Sequence, residues 1–154
     1  MIAPPFRSFQ NDMDFGLKQE IEVLDLIKEN FCERLGETDI INTKEIYDSY
    51  CPYDYEGTTN KTIFEMKSRR NKKYQYSTTI LPCSKIIQDG RRQIFIFNFT
   101  DACCYIEYKK ELFDTFNKKM ISTFRAGRTD HPKNHYEIPV DLLTDMLRIY
   151  KVDK

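Results

Sequence analysis

The stretch KTIFEMKSRRNKKYQY, residues 61–76, begins apolar and β-branched, then places Glu65-Met66-Lys67, and then holds five Lys or Arg among residues 67–73. Residues 61–68 predict a strand, with Thr62, Phe64 and Met66 on one face and Ile63, Glu65 and Lys67 on the other. Alternation therefore sets a carboxylate beside an amine, next to a run of positive charge. An ordinary solvated edge strand has this pattern. So does a metal-dependent site that holds a phosphodiester.

The second reading needs another carboxylate. Asp54 lies upstream in the turn CPYDYEG, and a hairpin would return it to the neighbourhood of Glu65. Hard divalent cations take oxygen ligands, and Mg²⁺ usually takes one or two carboxylates with phosphate and water. An ammonium beside them can hold a water for attack on phosphorus.

Before the hairpin, residues 14–36 predict a helix opened by Asp14 and stopped by Gly36. Leu17, Ile21, Leu24, Ile27, Phe31 and Leu35 share one side of it. Glu20 falls inside that stripe, where a carboxylate is costly without a cation or a hydrogen-bond donor. A functional acid and a boundary residue that snorkels both satisfy the pattern. Residues 1–11, with Pro4 and Pro5, read as an irregular arm, and residues 38–50 as a weak strand.

After the basic run, YQYSTTILP is β-rich and CSKIIQDG reads as a short helix closed by Gly90. RQIFIFNF, residues 92–99, is almost continuously apolar, as a strand covered on both faces should be. CCYIEY makes a further strand, residues 110–120 a helix, FRAGRTDHPKNH a polar basic loop, YEIP a short strand, and residues 140–150 a last helix. This order predicts a sheet of the α/β or α+β kind with covering helices.

Asp54 followed by Glu65-Met66-Lys67, behind a helix that carries Glu20, resembles the PD-(D/E)xK nuclease superfamily, which includes restriction enzymes, Holliday-junction resolvases and phage and viral nucleases. The segments YSTTILPCSKI and HYEIPVDLL look like those of phage-type members. The resemblance implies an α/β fold with an α-β-β-β-α-β core, a restriction-endonuclease-like mixed central β-sheet flanked by helices. It implies Mg²⁺ or Mn²⁺ dependence and hydrolysis of DNA phosphodiesters. It assigns Asp54 and Glu65 as metal ligands with the Met66 carbonyl, Lys67 as the residue that orients water, and Glu20 as the assisting acid of the helix. A homodimer is one arrangement it raises, since two strands need two sites. The family's Pro-Asp is here Pro52-Tyr53-Asp54. Glu107-Tyr108-Lys109 repeats the E-x-K spacing in another expected strand, with Asp89 or Asp101 upstream, and Glu65 is preferred for the helix glutamate before it, the basic run after it and the chain left downstream to complete the fold.

Net charge is zero, yet residues 12–56 hold 13 Asp/Glu against 4 Lys/Arg, and residues 61–133 hold 16 Lys/Arg against 7 Asp/Glu. Such asymmetry suits one basic face for a polyanion. Arg69, Arg70, Lys72 and Lys73 with Tyr74 and Tyr76 are candidate phosphate and stacking contacts. Lys85 is a further candidate, behind the metal site or at a phosphate, with a helix-surface lysine as the preferred reading. Arg125, Arg128, His131, Lys133 and His135 form a second basic cluster, read as phosphate contact or plain loop. DNA is the expected partner and RNA stays open. The alternatives are a non-catalytic nucleic-acid-binding module on the same fold, or a protein-interaction domain.

At 154 residues one domain is expected, long enough to bury a core without staples. No apolar run approaches the ~18 residues of a membrane span. The opening MIAPPFRSFQNDMD has no basic leader and no apolar signal core, so an intracellular protein is expected. Five cysteines without a C-x-x-C predict reduced thiols in a reducing compartment, and adjacent Cys103 and Cys104 should point to opposite faces of a strand.

Overall fold

A computed structural model describes residues 9–47, 50–122, 124–125, 128–129 and 131–147, with side chains over 19–47, 50–122 and 131–147. The long helix α1 spans Phe9–Leu35, so it starts ahead of Asp14, which is therefore not its cap. It stops where expected. Gly36 takes φ 67°, a left-handed conformation open to glycine without strain. There Glu37 N donates to Cys32 O at 2.8 Å and Gly36 N to Glu33 O at 3.2 Å, which satisfies two of the last carbonyls. The buried face of α1 is Val23, Leu26, Ile27, Phe31 and Leu35. Ile21, expected in the stripe, is exposed, because Val23 and Leu26 take the sheet-facing positions.

The strands follow as β1 (Ile40–Asn42), β2 (Tyr55–Gly57), β3 (Ile63–Ser68), β4 (Thr78–Pro82), β5 (Gln93–Asn98) and β6 (Cys103–Glu107). A helical turn α2 (Lys110–Phe113) leads to β7 (Asn117–Ile121), β8 (Phe124–Arg125), β9 (Arg128–Thr129), β10 (Lys133–Pro139) and β11 (Thr144–Asp145). The main sheet has the order β1-β2-β3-β5-β6-β11, in which only β3 and β5 run parallel. A second, antiparallel sheet has the order β4-β10-β7, and β8 pairs with β9. The architecture is mixed α/β with a mixed central sheet and few helices.

Two cores explain the layers. On one face of the main sheet, Phe64, Met66, Ile94, Ile96 and Cys103 pack on α1. On the other, Phe95, Phe97, Cys104 and Ile106 pack on Leu81, Tyr136 and Ile138 of the second sheet. Strand β5 contributes alternately to both, which accounts for its unbroken apolar run. Cys103 and Cys104 lie in opposite cores, and no cysteine among the described residues is bonded to another.

Among the described residues the central sheet is thus flanked by a long helix on one face, and a sheet covers the other. Residues 110–120 are helical only over Lys110–Phe113, and Asn117–Ile121 instead pairs with β10. Phe113 and Phe116 are buried beside Tyr136, while Met120 is exposed, so the apparent helical stripe ends halfway. Residues 140–150 likewise form no α-helix over their described part, only a 3₁₀ turn at Val140–Leu142. Val140 and Leu143 enter the second core but Met146 enters the first, so the chain crosses the sheet edge, and Thr144–Asp145 pairs with β6. A helix would have kept all three on one side. CSKIIQDG keeps only a 3₁₀ turn at Cys83–Lys85, and half of CPYDYEG is strand β2. The basic loop contains β8, β9 and the start of β10.

Candidate active site

Strand β3 carries the acid and the amine, and its backbone decides how they meet Asp54. Ile63 N donates to Arg92 O and Arg69 N to Asn98 O, so the odd-numbered residues turn their backbone groups toward β5. Phe64 and Met66 therefore turn theirs toward β2. Phe64 O accepts from Asp54 N at 3.0 Å, and Met66 N donates to Asp54 Oδ2 at 2.8 Å. Strand β2 starts only at Tyr55, so a carboxylate stands where the ladder would continue. Within a strand residue N–H and C=O point the same way, which aims the Met66 carbonyl to the Asp54 side as well.

Asp54 is held from behind. Thr43 N donates to Asp54 O at 2.9 Å, and the Thr43 hydroxyl donates to Tyr53 O at 2.6 Å. Tyr55 pairs with Phe64 and faces the helix, so alternation turns its neighbours Asp54 and Glu56 to the other face, the face of Glu65 and Lys67.

Glu65 is 7 % exposed. Its Oε1 lies 3.2 Å from Lys67 Nζ and 3.5 Å from Lys85 Nζ. Its Oε2 is buried and has no hydrogen-bond partner. One oxygen thus meets two ammonium groups and the other meets none, and an unsatisfied buried acceptor costs about 1–3 kcal/mol or more when charged. Burial, then the charge of Glu65, raises the Asp54 carboxyl to about 6, against the Met66 N–H that stabilises the anion. Burial also holds the Lys67 ammonium below its ordinary value, although Glu65 favours the charge.

Glu20 is clamped rather than free. Lys44 Nζ lies 2.9 Å from its Oε2, and Asn42 Nδ2 donates to the same oxygen at 3.4 Å. Asn42 Oδ1 caps the turn by accepting from Lys44 N at 2.9 Å, which aims the lysine. Tyr55 Oη donates to Glu20 O at 2.6 Å. Glu20 adds to the field that raises Asp54. Among the described residues no three acidic, histidine or cysteine side chains gather into one metal cage, so Asp54 and Glu65 form a pair. A pair with a backbone carbonyl and an orphaned carboxylate oxygen fits a Mg²⁺-like ion, which keeps several waters.

The basic run divides. Arg69 is turned inward, where Nη2 donates to Ile80 O at 2.6 Å, Nε to Thr79 Oγ1 at 3.1 Å, and the guanidinium sits 5.5 Å from the Phe97 ring. Lys73 is buried, with Nζ 2.9 Å from Asp145 Oδ1. Arg69 ties the crossing chain to β4 of the second sheet and Lys73 ties it to β11 of the main sheet, so neither is the phosphate contact expected of it. Arg70, Lys72, Tyr74 and Tyr76 remain exposed. His135 is buried on β10, with Nδ1 2.8 Å from Lys133 O, and is no surface contact. The side chains of Arg125 and Arg128 lie outside the described residues. Lys85 is not a helix-surface lysine but a partner of Glu65.

Glu107 is fully committed elsewhere, with Arg92 Nη2 at 2.8 Å, Arg92 Nε at 3.0 Å and Lys109 Nζ at 3.3 Å. A cleft of about 670 Å³ between α1 and the strand ends is lined, among the described residues, by Gln19, Asn98, Asp101 and Asp145 and by no basic side chain.

Sequence reasoning missed the set around Glu56. Tyr47 Oη and Tyr53 Oη each donate to one of its oxygens at 2.9 Å, and Arg91 Nη1 donates at 3.0 Å. The signal was present, since Asp54 and Glu56 two apart in a strand share a face. In comparisons with known proteins, no family model matches this chain, and no curated protein or solved structure matches it significantly.

Proposed function

We propose that this chain is a divalent-metal-dependent nuclease that hydrolyses DNA phosphodiester bonds at Asp54, Glu65 and Lys67. The observation that carries the reading is Glu65 Oε2, a buried carboxylate oxygen without a protein partner, next to a second carboxyl raised to about 6. Protein structures leave such oxygens unsatisfied at high cost, and a cation removes that cost. The strand order supports the resemblance too: α1, β1, β2 and β3 are followed by a strand parallel to β3. The second helix of the implied core is absent among the described residues, and β4 stands in its place along the chain.

Asp54, Glu65 and the Met66 carbonyl would hold Mg²⁺ or Mn²⁺, which supplies Lewis-acid stabilisation of charge that builds on the phosphate. Lys67 holds the attacking water at Nζ, and its weakened ammonium gives up a proton more readily than an exposed lysine. Lys85, on the same Glu65 oxygen, is placed for a phosphate oxygen. Glu20 acts on Asp54 through its field, so it positions rather than ligates. Arg70 and Lys72 supply the sequence-independent attraction to a polyanion.

The test is cleavage of labelled duplex, branched and single-stranded DNA, with an RNA arm, in Mg²⁺, Mn²⁺ or chelator. Wild type should cut DNA only with metal and show a metal-induced rise in melting temperature. Glu65→Gln should lose both, with at least about a hundredfold fall in rate, while Glu107→Gln keeps both. No cleavage by wild type, together with no metal-induced thermal shift, overturns the proposal.

A further inference from the structure

Beside the acid pair, on the same face of the sheet, the β1–β2 connection forms a small aromatic pocket. Tyr47, Tyr50, Cys51, Pro52 and Tyr53 line about 300 Å³. That volume is at the lower end for ligand pockets of about 300–1,000 Å³ and suits a single heterocycle. Two of its tyrosines are preset. Tyr47 and Tyr53 each donate a hydroxyl to one oxygen of buried Glu56, and Arg91 bonds the same carboxylate and lies 5.3 Å from the Tyr53 ring. The Tyr47 and Tyr53 hydroxyls face the network, so these two residues present their rings to the pocket beside Cys51 and Pro52. Tyr50 is 89 % exposed, a large aromatic surface turned to solvent at the pocket rim.

We infer that this pocket stacks one unpaired nucleobase of a strand whose phosphate lies at the acid pair, so that the substrate carries a single-stranded or extrahelical nucleotide at the cleavage point. The inference rests on the proposed nuclease reading and adds its substrate class. Continuity favours a base over another flat ligand. Tyr53 and Asp54 are consecutive residues, with Cα atoms about 3.8 Å apart, so a wall of the pocket and the carboxylate stand at adjoining positions of one chain segment. Aromatic faces stack any base without reading its edge. No side chain among the described lining residues presents a fork of donors and acceptors, so the pocket selects for an unpaired base and not for sequence. A paired base in a duplex keeps its faces covered by neighbours and cannot enter.

The experiment measures binding without catalysis, in chelator, by fluorescence anisotropy. The probes are a single-stranded oligonucleotide, the same strand bearing one abasic site, the matched duplex and the RNA version of the single strand. Wild type should bind the intact single strand more tightly than the duplex, and each abasic position in turn should locate the stacked base. Tyr50→Ala should weaken the single-strand complex about tenfold while duplex affinity is unchanged, and Tyr50→Trp should restore it. Tyr50 is exposed, so the alanine variant is expected to fold. Equal losses on single strand and duplex, or no loss on either, overturn the inference. Metal-dependent cleavage that is indifferent to Tyr50 overturns it alone and leaves the nuclease reading standing. Wild type that binds none of the four probes and cuts no DNA overturns both.

Discussion

Asp54→Asn should make the metal-free protein more stable at neutral pH while abolishing its response to metal. Burial and the Glu65 charge raise this carboxyl from an ordinary 3.8 to about 6. A group whose pKa is higher in the folded state contributes stability below its unfolded pKa and loses it as pH rises through the folded value. About two pKa units at 1.36 kcal/mol each make that loss about 3 kcal/mol between pH 4 and 7.5. The substitution removes the charge and keeps a carboxamide oxygen that can accept from Met66 N. The difference between variant and wild type should therefore grow by about 3 kcal/mol over that window, or about 6–12 °C in Tm for a chain of this size. Urea unfolding in chelator at half-unit pH steps measures it, and taking the difference cancels carboxylates common to both proteins. Addition of Mg²⁺ should then stabilise wild type and not the variant. Parallel pH profiles for the two proteins would refute the reasoning, since Asp54 would not be a destabilised carboxylate awaiting a cation.

The basic run should separate by depth. Arg69→Ala should cost about 2–4 kcal/mol in urea unfolding, because it strands Ile80 O and leaves space against Phe97. Arg70→Ala with Lys72→Ala should leave stability within about 0.5 kcal/mol and lower the log–log salt slope of DNA binding by about 0.7–0.9 per charge. An unchanged slope would make this tip a bystander surface. Gly57→Ala should lose about 3 kcal/mol of stability, because its Cβ would fall 2.0 Å from Glu37 Oε2 and evict that carboxylate. Glu37 there accepts from Thr59 N, Asn60 N, Thr62 N and the Thr62 hydroxyl, and thermal melting reads the loss.

Periodicity was sufficient wherever one side chain pattern met one partner. The helix end at Gly36, the face alternation of β3 and the doubly buried β5 all follow from local rules, since a period of two or an αL glycine leaves few alternatives. The pairing of Glu65 with Lys67 belongs to the same class, because adjacency on a strand face needs no knowledge of the rest of the chain. What only the tertiary structure decided is where patterned segments are shared between two cores. Val140, Leu143 and Met146 have helical spacing, yet they divide across the main sheet, and burial on both sides outweighs helix propensity. Lys118 and Lys119 continue an apparent helix but take the edge of the second sheet through backbone pairing, which no side-chain pattern encodes. Charge behaves the same way. Arg69 and Lys73 look like neighbours of Arg70 and Lys72, and only the course of the chain between layers brings them to Ile80 O and Asp145. Lys85 reaches Glu65 for that reason too, because a through-space contact across a crossover depends on packing and leaves no mark in the sequence.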